Sequence, residues 1–465
     1  MYEFDLLCIG SGPAGQRAAV QAAKIGKRVG LIEREFEVGG VCLHTGTIPS
    51  KTFREAVLSL TVGSNPFHAR RKNDKQRPRP TAQELFSRVD DLIGRETHVQ
   101  EDQLTRNDVE IINGAGEFRD AHTVVAKSSS GDRLIRADNI LVAVGTHPTP
   151  PDNLLISDPA VITSDDVPRL TELPRSMVVI GCGVVGIEYA SMFAALGVDV
   201  TVVDGRRRPL EFLDDEIIDE LMHQMRDMRV IFRLGETVER LELLENGRRH
   251  VAVHLQSGKR MATDLALICA GRLGATDSLK LNSAGLSADE RGRLTVNEEF
   301  RTETSNIFAA GDVIGFPSLA ATSSEQGRLA ACKAFGVDSG PMPENFPVGI
   351  YAIPEISMVG KTERSLTEEK IPYETGIARF REIARGQIIG DVSGFLKLLV
   401  HRETRMILGA HIIGTGATEL IHIGQCVMGL NGTLDYLIET IFNYPTLAEC
   451  YKVAALDAYN KLSLQ

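Results

Sequence analysis

Basic residues are in the minority in this chain of 465. Its 51 lysines and arginines against 62 aspartates and glutamates leave a formal net charge of −11. That balance argues against a general nucleic-acid binder or an anionic-membrane binder. Long apolar runs are missing too. The most apolar stretch, Met177 to Ile187, is about half of the ~20 residues a membrane helix needs, and it stops at Glu188. The N-terminus carries Glu3 and Asp5 where a signal peptide would carry positive charge, so a soluble cytoplasmic protein is expected. Short-period repeats and low-complexity tracts are absent. Cysteine is sparse and odd in number: seven, scattered, without the pattern of a secreted disulfide framework and without metal-ligand spacing. No metal site is expected.

What is plentiful is apolar residues, at 43%, and glycine, at 43 of 465. The first supports several packed cores, and the length suggests about three domains. The glycines fall into a pattern. Gly10-Ser-Gly12-Pro-Ala-Gly15 follows a short apolar run (Asp5 to Ile9) and opens an alanine-rich segment of helical spacing (Ala14 to Ile25). The first glycine permits a tight turn, the second admits a pyrophosphate to the backbone, and the third lets helix and sheet pack closely. Glu33, 23 residues after Gly10, ends the next apolar run, where a carboxylate can accept a ribose hydroxyl.

About 170 residues on, the same grammar recurs as Gly181-Cys-Gly183-Val-Val-Gly186, with Asp204 in the place of Glu33. Arg206, Arg207 and Arg208 follow immediately. Asp204 suits the 2′-hydroxyl of NAD(H), whereas arginines at this turn suit the 2′-phosphate of NADP(H). A site with both is expected to discriminate little between the two; a plain NAD site with solvated arginines is the alternative. The basic stretch Thr61 to Thr81 reads as a solvated surface loop. From about Asn345 the texture changes to short strands (Phe395 to Val400, Ile407 to Ile413) and two amphipathic helices, a separate α+β unit.

Gly39-Gly-Val-Cys42-Leu-His44-Thr-Gly-Thr47-Ile-Pro-Ser-Lys51 is a more specific pattern. Together with Ala143-Val-Gly145-Thr, Ala270-Gly271-Arg272, Asn113-Gly-Ala-Gly116, Thr304 to Asp312, Pro354 to Gly360 and Tyr444-Pro-Thr-Leu-Ala-Glu449, it resembles the pyridine nucleotide–disulfide oxidoreductases along essentially the whole chain. The resemblance implies an α/β fold with two Rossmann-like dinucleotide-binding domains and a C-terminal α+β dimerisation domain. The expected division is residues 1–160 for the first part of the FAD-binding domain and 161–282 for the NAD(P)-binding domain. Residues 283–344 return to the FAD-binding unit, and 345–465 form the interface domain of a homodimer. FAD is the implied cofactor, with NAD(H) and NADP(H) as substrates. Gly116 would lie on the adenine side, Gly145 at a strand-end junction, Gly271 at the nicotinamide-side turn, and Asp312 on the flavin ribityl chain.

The departures from that family are as informative. Its disulfide enzymes carry a second cysteine five residues after the first, and here that position is Thr47. Threonine cannot form a dithiol–disulfide couple. The family's catalytic histidine before the C-terminal Pro-Thr is Tyr444, a poor general base near neutral pH. Lys51 and Glu188 stand where the family places a lysine near the flavin and its carboxylate partner. They are expected to stabilise charge developing in hydride transfer, a role compatible with a plain interdomain ion pair. Val184 stands where some relatives have a gating tyrosine. With Ile421-His422-Ile-Gly and Phe442-Asn-Tyr444-Pro-Thr, the pattern most resembles the branch of soluble FAD-containing pyridine nucleotide transhydrogenases, which lacks the second cysteine. Cys42 is read as a small residue lining the flavin pocket, the other cysteines as core, and His44 and His422 as structural. A quinone reductase of the same fold and a catalytically silent FAD-binding paralogue remain as alternatives.

Overall fold

The computed structural model describes residues 2–61, 80–154, 156–245 and 249–463, so residues 62–79 of the basic stretch lie outside the described residues. The chain enters as β1 (Phe4–Ile9), turns into α1 (Pro13–Lys24) and returns as β2 (Val29–Glu33). All of β1 but Asp5 and all of β2 are buried, as parallel strands covered on both faces must be. Pro13 occupies the first turn of α1, where its missing N–H costs no helical bond. Next come α2 (Gly40–His44), α3 (Thr47–Thr61) and α4 (Ala82–Thr105). Thr81 and Glu84 cap α4 reciprocally, each side chain accepting from the other's backbone N–H at 3.2 and 2.8 Å.

Strands β3 (Glu110–Asn113), β4 (Ala115–Asp120), β5 (Thr123–Lys127) and β6 (Arg133–Val142) complete the first part of the sheet, in the order β3-β2-β1-β6-β5-β4. β6 changes partners along its length. Arg133 to Arg136 pair antiparallel with β5, and Ala137 to Val142 pair parallel with β1.

After β7 (Thr146–Pro148) a second unit repeats the theme. It holds β8 (Val161–Thr163), β9 (Ser176–Ile180), α5 (Val184–Ala195), β10 (Asp199–Asp204), α6 (Asp215–Asp227) and β11 (Ile231–Leu234). An antiparallel group follows, β12 (Val238–Glu245), β13 (Arg249–Leu255) and β14 (Arg260–Thr263), and then β15 (Leu265–Ile268). The parallel strands run β11-β10-β9-β15-β8. Every residue of α5 from Gly186 to Ala194 is buried, which is why Glu188 lies within protein.

The chain then returns to the first unit. β16 (Arg272–Gly274) pairs antiparallel with β7, and β17 (Ile307–Ala309) joins β6. α7 (Ala320–Ala334) crosses α1 so closely that a Cβ on Gly327 would stand 2.0 Å from the Ala14 carbonyl oxygen.

The C-terminal unit is an antiparallel sheet, β18 (Val348–Ile350), β19 (Ile356–Gly360), β20 (Tyr373–Arg379), β21 (Phe395–His401) and β22 (Ile407–Ile413), in the order β18-β19-β22-β21-β20. Its helices are α8 (Glu363–Glu368), α9 (Ala384–Ile389), α10 (Ala417–Gly429), α11 (Leu434–Glu439) and α12 (Glu449–Ser463). Three helices thus follow β22, not two, because α11 is a single six-residue element too short to show an apolar period. No helix among the described residues is long and apolar enough to cross a membrane. One core cluster draws on all three units, Phe53 and Phe86 from the first, Tyr189 and Phe193 from the second, Ile350 and Ile356 from the third.

Candidate active site

The two glycine turns are superimposable in their chemistry. Gly10 and Gly181 have φ of +103° and +116°, and a Cβ on either would stand 2.4 Å from a carbonyl oxygen, of Ala143 or of Cys269. Only glycine fits there. A Cβ on Gly15 or Gly186 would meet the Gly10 or Gly181 oxygen at 1.9 or 2.0 Å, so these third glycines set how closely α1 and α5 approach their turns. Gly12 and Gly183 cap the two helices without any side-chain capping bond, leaving first-turn N–H groups directed at the turn.

At the end of β2, Glu33 is 5% exposed and accepts from the Ser11 N–H at 3.0 Å and hydroxyl at 2.5 Å, and from the Glu35 N–H at 3.0 Å. At the end of β10, Asp204 accepts from the Cys182 N–H at 2.7 Å and the Arg206 N–H at 2.8 Å. The Arg206 guanidinium adds bonds of 3.0 and 2.7 Å to the same carboxylate. Burial alone would raise the Asp204 carboxyl. The Arg206 side chain and the two backbone N–H groups outweigh it and hold the group well below the usual carboxylate range. The three arginines therefore separate. Arg206 is on Asp204, Arg207 is exposed, and Arg208 is committed to Asp215 and Asp219 of α6.

Lys51, on α3, and Glu188, on α5, meet across the first two units. The Lys51 ammonium donates to both Glu188 oxygens, at 2.9 and 2.7 Å. Glu188 is 3% exposed, and Oε1 takes a further bond from the Tyr351 N–H at 2.8 Å. The Tyr351 ring lies 5.0 Å from the ammonium, in cation–π contact. All three units thus contribute to one ion pair. Tyr351 was not foreseen from sequence: a backbone N–H is common to every residue but proline, so nothing in its identity advertised the bond.

Cys42 lies on α2, half-buried and free. Burial raises its thiol, and a hydrogen bond with the Thr47 hydroxyl partly offsets this. The charges of Asp312 and Lys51 also reach it, which puts these groups in one neighbourhood. Burial likewise raises the Asp312 carboxyl, against one hydrogen bond from Ser323 at 3.3 Å and the charge of Arg272. Gly145 and Gly271 flank the paired strands β7 and β16 at φ of +64° and +129°. Arg272 clasps this connection through Thr146 and Asp165. Gly116 has a packing role, since a Cβ there would meet Ile9 Cγ2 at 2.8 Å.

At the other end of the chain, Tyr444 is 73% exposed and Glu449 Oε2 finds no hydrogen-bond partner among the described residues. His44 bonds the Val38 carbonyl at 2.9 Å and His422 bonds Gln425 at 2.8 Å. Val184 begins α5, partly buried. The one group of His, Cys, Asp or Glu side chains close enough to hold a metal among the described residues is Asp214, Glu216 and Glu363. The Lys397 ammonium already bonds all three.

The first turn fits the FAD implied by the sequence. The space a Cβ on Gly12 would enter is open to 4 Å, and the Asp312 carboxylate accepts only the Ser323 hydroxyl; Gln16 Nε2 on α1 and Thr45 Oγ1 at the end of α2 are buried with no hydrogen-bond partner among the described residues.

Residues 4–327 match the family described as pyridine nucleotide-disulphide oxidoreductase, and residues 346–455 match its dimerisation domain. A soluble pyridine nucleotide transhydrogenase from Mycobacterium bovis is 49% identical over 464 residues, which is 99% of this chain and 98% of that one. A protein of the same name from Marinomonas sp. is 43% identical over 99% of both chains. Among solved structures, the HOCl-induced flavoprotein disulfide reductase RclA from Escherichia coli, as its Cu(II) complex, is similar with a TM-score of 0.89 and 28% identity. That match covers 98% of this chain and 99% of the other. LpdA from Mycobacterium tuberculosis has the same TM-score at 26% identity, over 97% and 99% of the two chains.

Proposed function

The chain belongs to the pyridine nucleotide-disulphide oxidoreductase family, and from that membership we propose that it is a flavoprotein transhydrogenase. It exchanges hydride between NADPH and NAD+, in either direction, at one nicotinamide site. The observation that carries this reading is a free Cys42, with Thr47 where a second cysteine would stand, beside an intact Lys51–Glu188 pair. The site keeps its charge machinery and has no dithiol through which electrons could leave. Bound FAD supplies a reversible two-electron acceptor for hydride.

The remaining roles belong to the chain. Gly10, Gly12, Gly15 and the N-terminus of α1 would receive the FAD pyrophosphate, Glu33 its adenosine ribose and Asp312 its ribityl chain. Gly116 and Gly145 would let the backbone pass close beside it, and Cys42 would line the flavin pocket. Gly181, Gly183, Gly186, Asp204, Arg206 and Arg207 would hold the adenosine end of the nicotinamide dinucleotide, with Gly271 at its nicotinamide end. Lys51 would present a fixed positive charge, oriented by Glu188 and by the Tyr351 ring. The exposed apolar side chains Leu430, Tyr436, Ile441 and Tyr444 offer the face for a homodimer. Free thiols at all seven cysteines support a reducing, cytoplasmic setting.

Purified holoenzyme mixed with NADPH and thio-NAD+ should form thio-NADH; a rate no faster than buffer would sink the reading. Rapid quinone reduction with negligible transhydrogenation would instead favour a quinone reductase. Cys42→Ser should cost less than about tenfold in transhydrogenation, because the thiol is not used as a nucleophile; complete loss would mean that it is. Tyr351→Leu should slow hydride transfer about tenfold while Tyr351→Phe, which keeps the ring face, stays near wild type. Stopped-flow bleaching of the flavin measures both.

A further inference from the structure

The two dinucleotide turns are copies of one device, and comparing them isolates one side chain. Each acid is fixed by equivalent backbone hooks. One is the N–H after the first glycine, Ser11 or Cys182; the other is the N–H two residues beyond the acid, Glu35 or Arg206. A carboxylate offers about four acceptor positions. Glu33 fills three, the third with the Ser11 hydroxyl, and keeps one on Oε1. Asp204 fills all four, because the Arg206 guanidinium takes both that the backbone leaves. Arg206 Nη2 also lies 4.0 Å from where a Cβ on Gly183 would stand, whereas the matching space over Gly12 is open. The guanidinium thus covers the acceptor positions on Asp204 that a ribose hydroxyl would use.

We propose that Arg206 is an exchangeable plug that lets this one site take both NAD(H) and NADP(H) by changing the partner of Asp204. The inference rests on the transhydrogenase reading, since it explains how one site serves two dinucleotides. When a ligand with a free 2′-hydroxyl binds, Arg206 leaves, and the ribose hydroxyls donate into the positions it vacates. The Cys182 and Arg206 N–H groups keep the carboxylate in place throughout. When a 2′-phosphate ligand binds, the guanidinium turns its fork onto the phosphate, beside the exposed Arg207, and screens it from Asp204. Arg206 can do either because its side chain is 47% exposed while that of Asp204 is 9% exposed: the arginine moves and the acid stays.

The test uses ligands that cannot transfer hydride, so it stands apart from the activity assay. Calorimetry on holoenzyme compares ADP-ribose with 2′-phospho-ADP-ribose. Arg206→Gln should weaken the 2′-phosphorylated ligand about 30-fold, the loss of charge-assisted bonds, and tighten ADP-ribose several-fold. The opposite signs are the signature. Asp204→Asn should invert them, weakening ADP-ribose and tightening the phosphorylated ligand. Arg206→Lys, with a point charge in place of a fork, should fall between wild type and Gln for both. If Arg206→Gln leaves ADP-ribose unchanged or weaker, the arginine is no plug, and the proposal fails even if transhydrogenation is intact. If transhydrogenation fails while the opposite signs appear, the plug stands and the activity reading falls. Unaltered flavin absorbance and content in each variant exclude misfolding as the cause.

Discussion

Lys51→Met is expected to lower the rate of flavin reduction by NADPH and by NADH alike, by about 100-fold, the scale of losing a preorganised charge at a reacting centre. The equal effect on both dinucleotides is expected because Lys51 lies with Cys42 and Asp312, whereas the 2′ position is proposed to be read by Asp204 and Arg206 at the end of β10. A purely structural ion pair would behave differently, and the geometry supplies the means to tell. Lys51→Met strands a carboxylate that is 3% exposed with only the Tyr351 N–H for company, so it costs stability as well as rate. Lys51→Met combined with Glu188→Gln removes the stranded charge, and the amide oxygen can still accept from Tyr351. The double variant should regain most of the unfolding midpoint and none of the rate. Recovery of both together would reduce the pair to an interdomain tie.

How legible this site was depends on what kind of group does each job. The glycine turns were plain in the sequence because backbone sterics dictate them. A residue whose Cβ would meet a carbonyl oxygen at about 2 Å has to be glycine, and the spacing follows from strand, turn and helix geometry. Lys51 and Glu188, 137 residues apart, were joined only through family resemblance, as neither carries a local pattern. Tyr351 acts through its N–H and its ring face, 163 residues from Glu188, and was missed. Asp204 and Arg206 were both seen, but as opposed preferences; their mutual bond depends on side-chain direction, which spacing does not give. The third unit hid a signal that could have been used. Phe395-Leu-Lys397-Leu-Leu-Val400 sets a lysine in an otherwise unbroken apolar strand, and such a lysine needs acidic partners from elsewhere.

Those partners make Lys397→Met strongly destabilising, at about 3 kcal/mol or more. The ammonium is fully buried on β21 and bonds Asp214 at 2.8 Å, Glu216 at 2.7 Å, and Glu363. Asp214, 2% exposed, is the N-cap of α6, so one contact joins the second unit to the third. His411, directly opposite Lys397 on β22, is also fully buried, and burial together with the Lys397 charge lowers its imidazole pKa against the pull of Asp214. In the wild type, burial alone would raise the Asp214 carboxyl, but charge and hydrogen bonding hold it down; the same partners raise Lys397 against its own burial. The carboxylate's contribution is thus present above its unfolded value of about 4 and is lost as pH falls through the lower folded value. That of the lysine is present below about 10 and is lost as pH rises through the higher folded value. Between roughly pH 5 and 9 the pair's contribution is flat.

Removing the lysine reverses the carboxyl's position. Asp214, buried without its cation, titrates above its unfolded value, so the folded variant binds more protons than the unfolded one. The deficit against wild type should therefore shrink as pH falls from 8 toward 5. Urea unfolding of Lys397→Met at the two ends of that range measures it. Adding Asp214→Asn should recover much of the loss at pH 8, since the stranded charge is gone. A deficit independent of pH, or no recovery in the double variant, would mean that lost packing along β21, rather than an orphaned carboxylate, sets the cost.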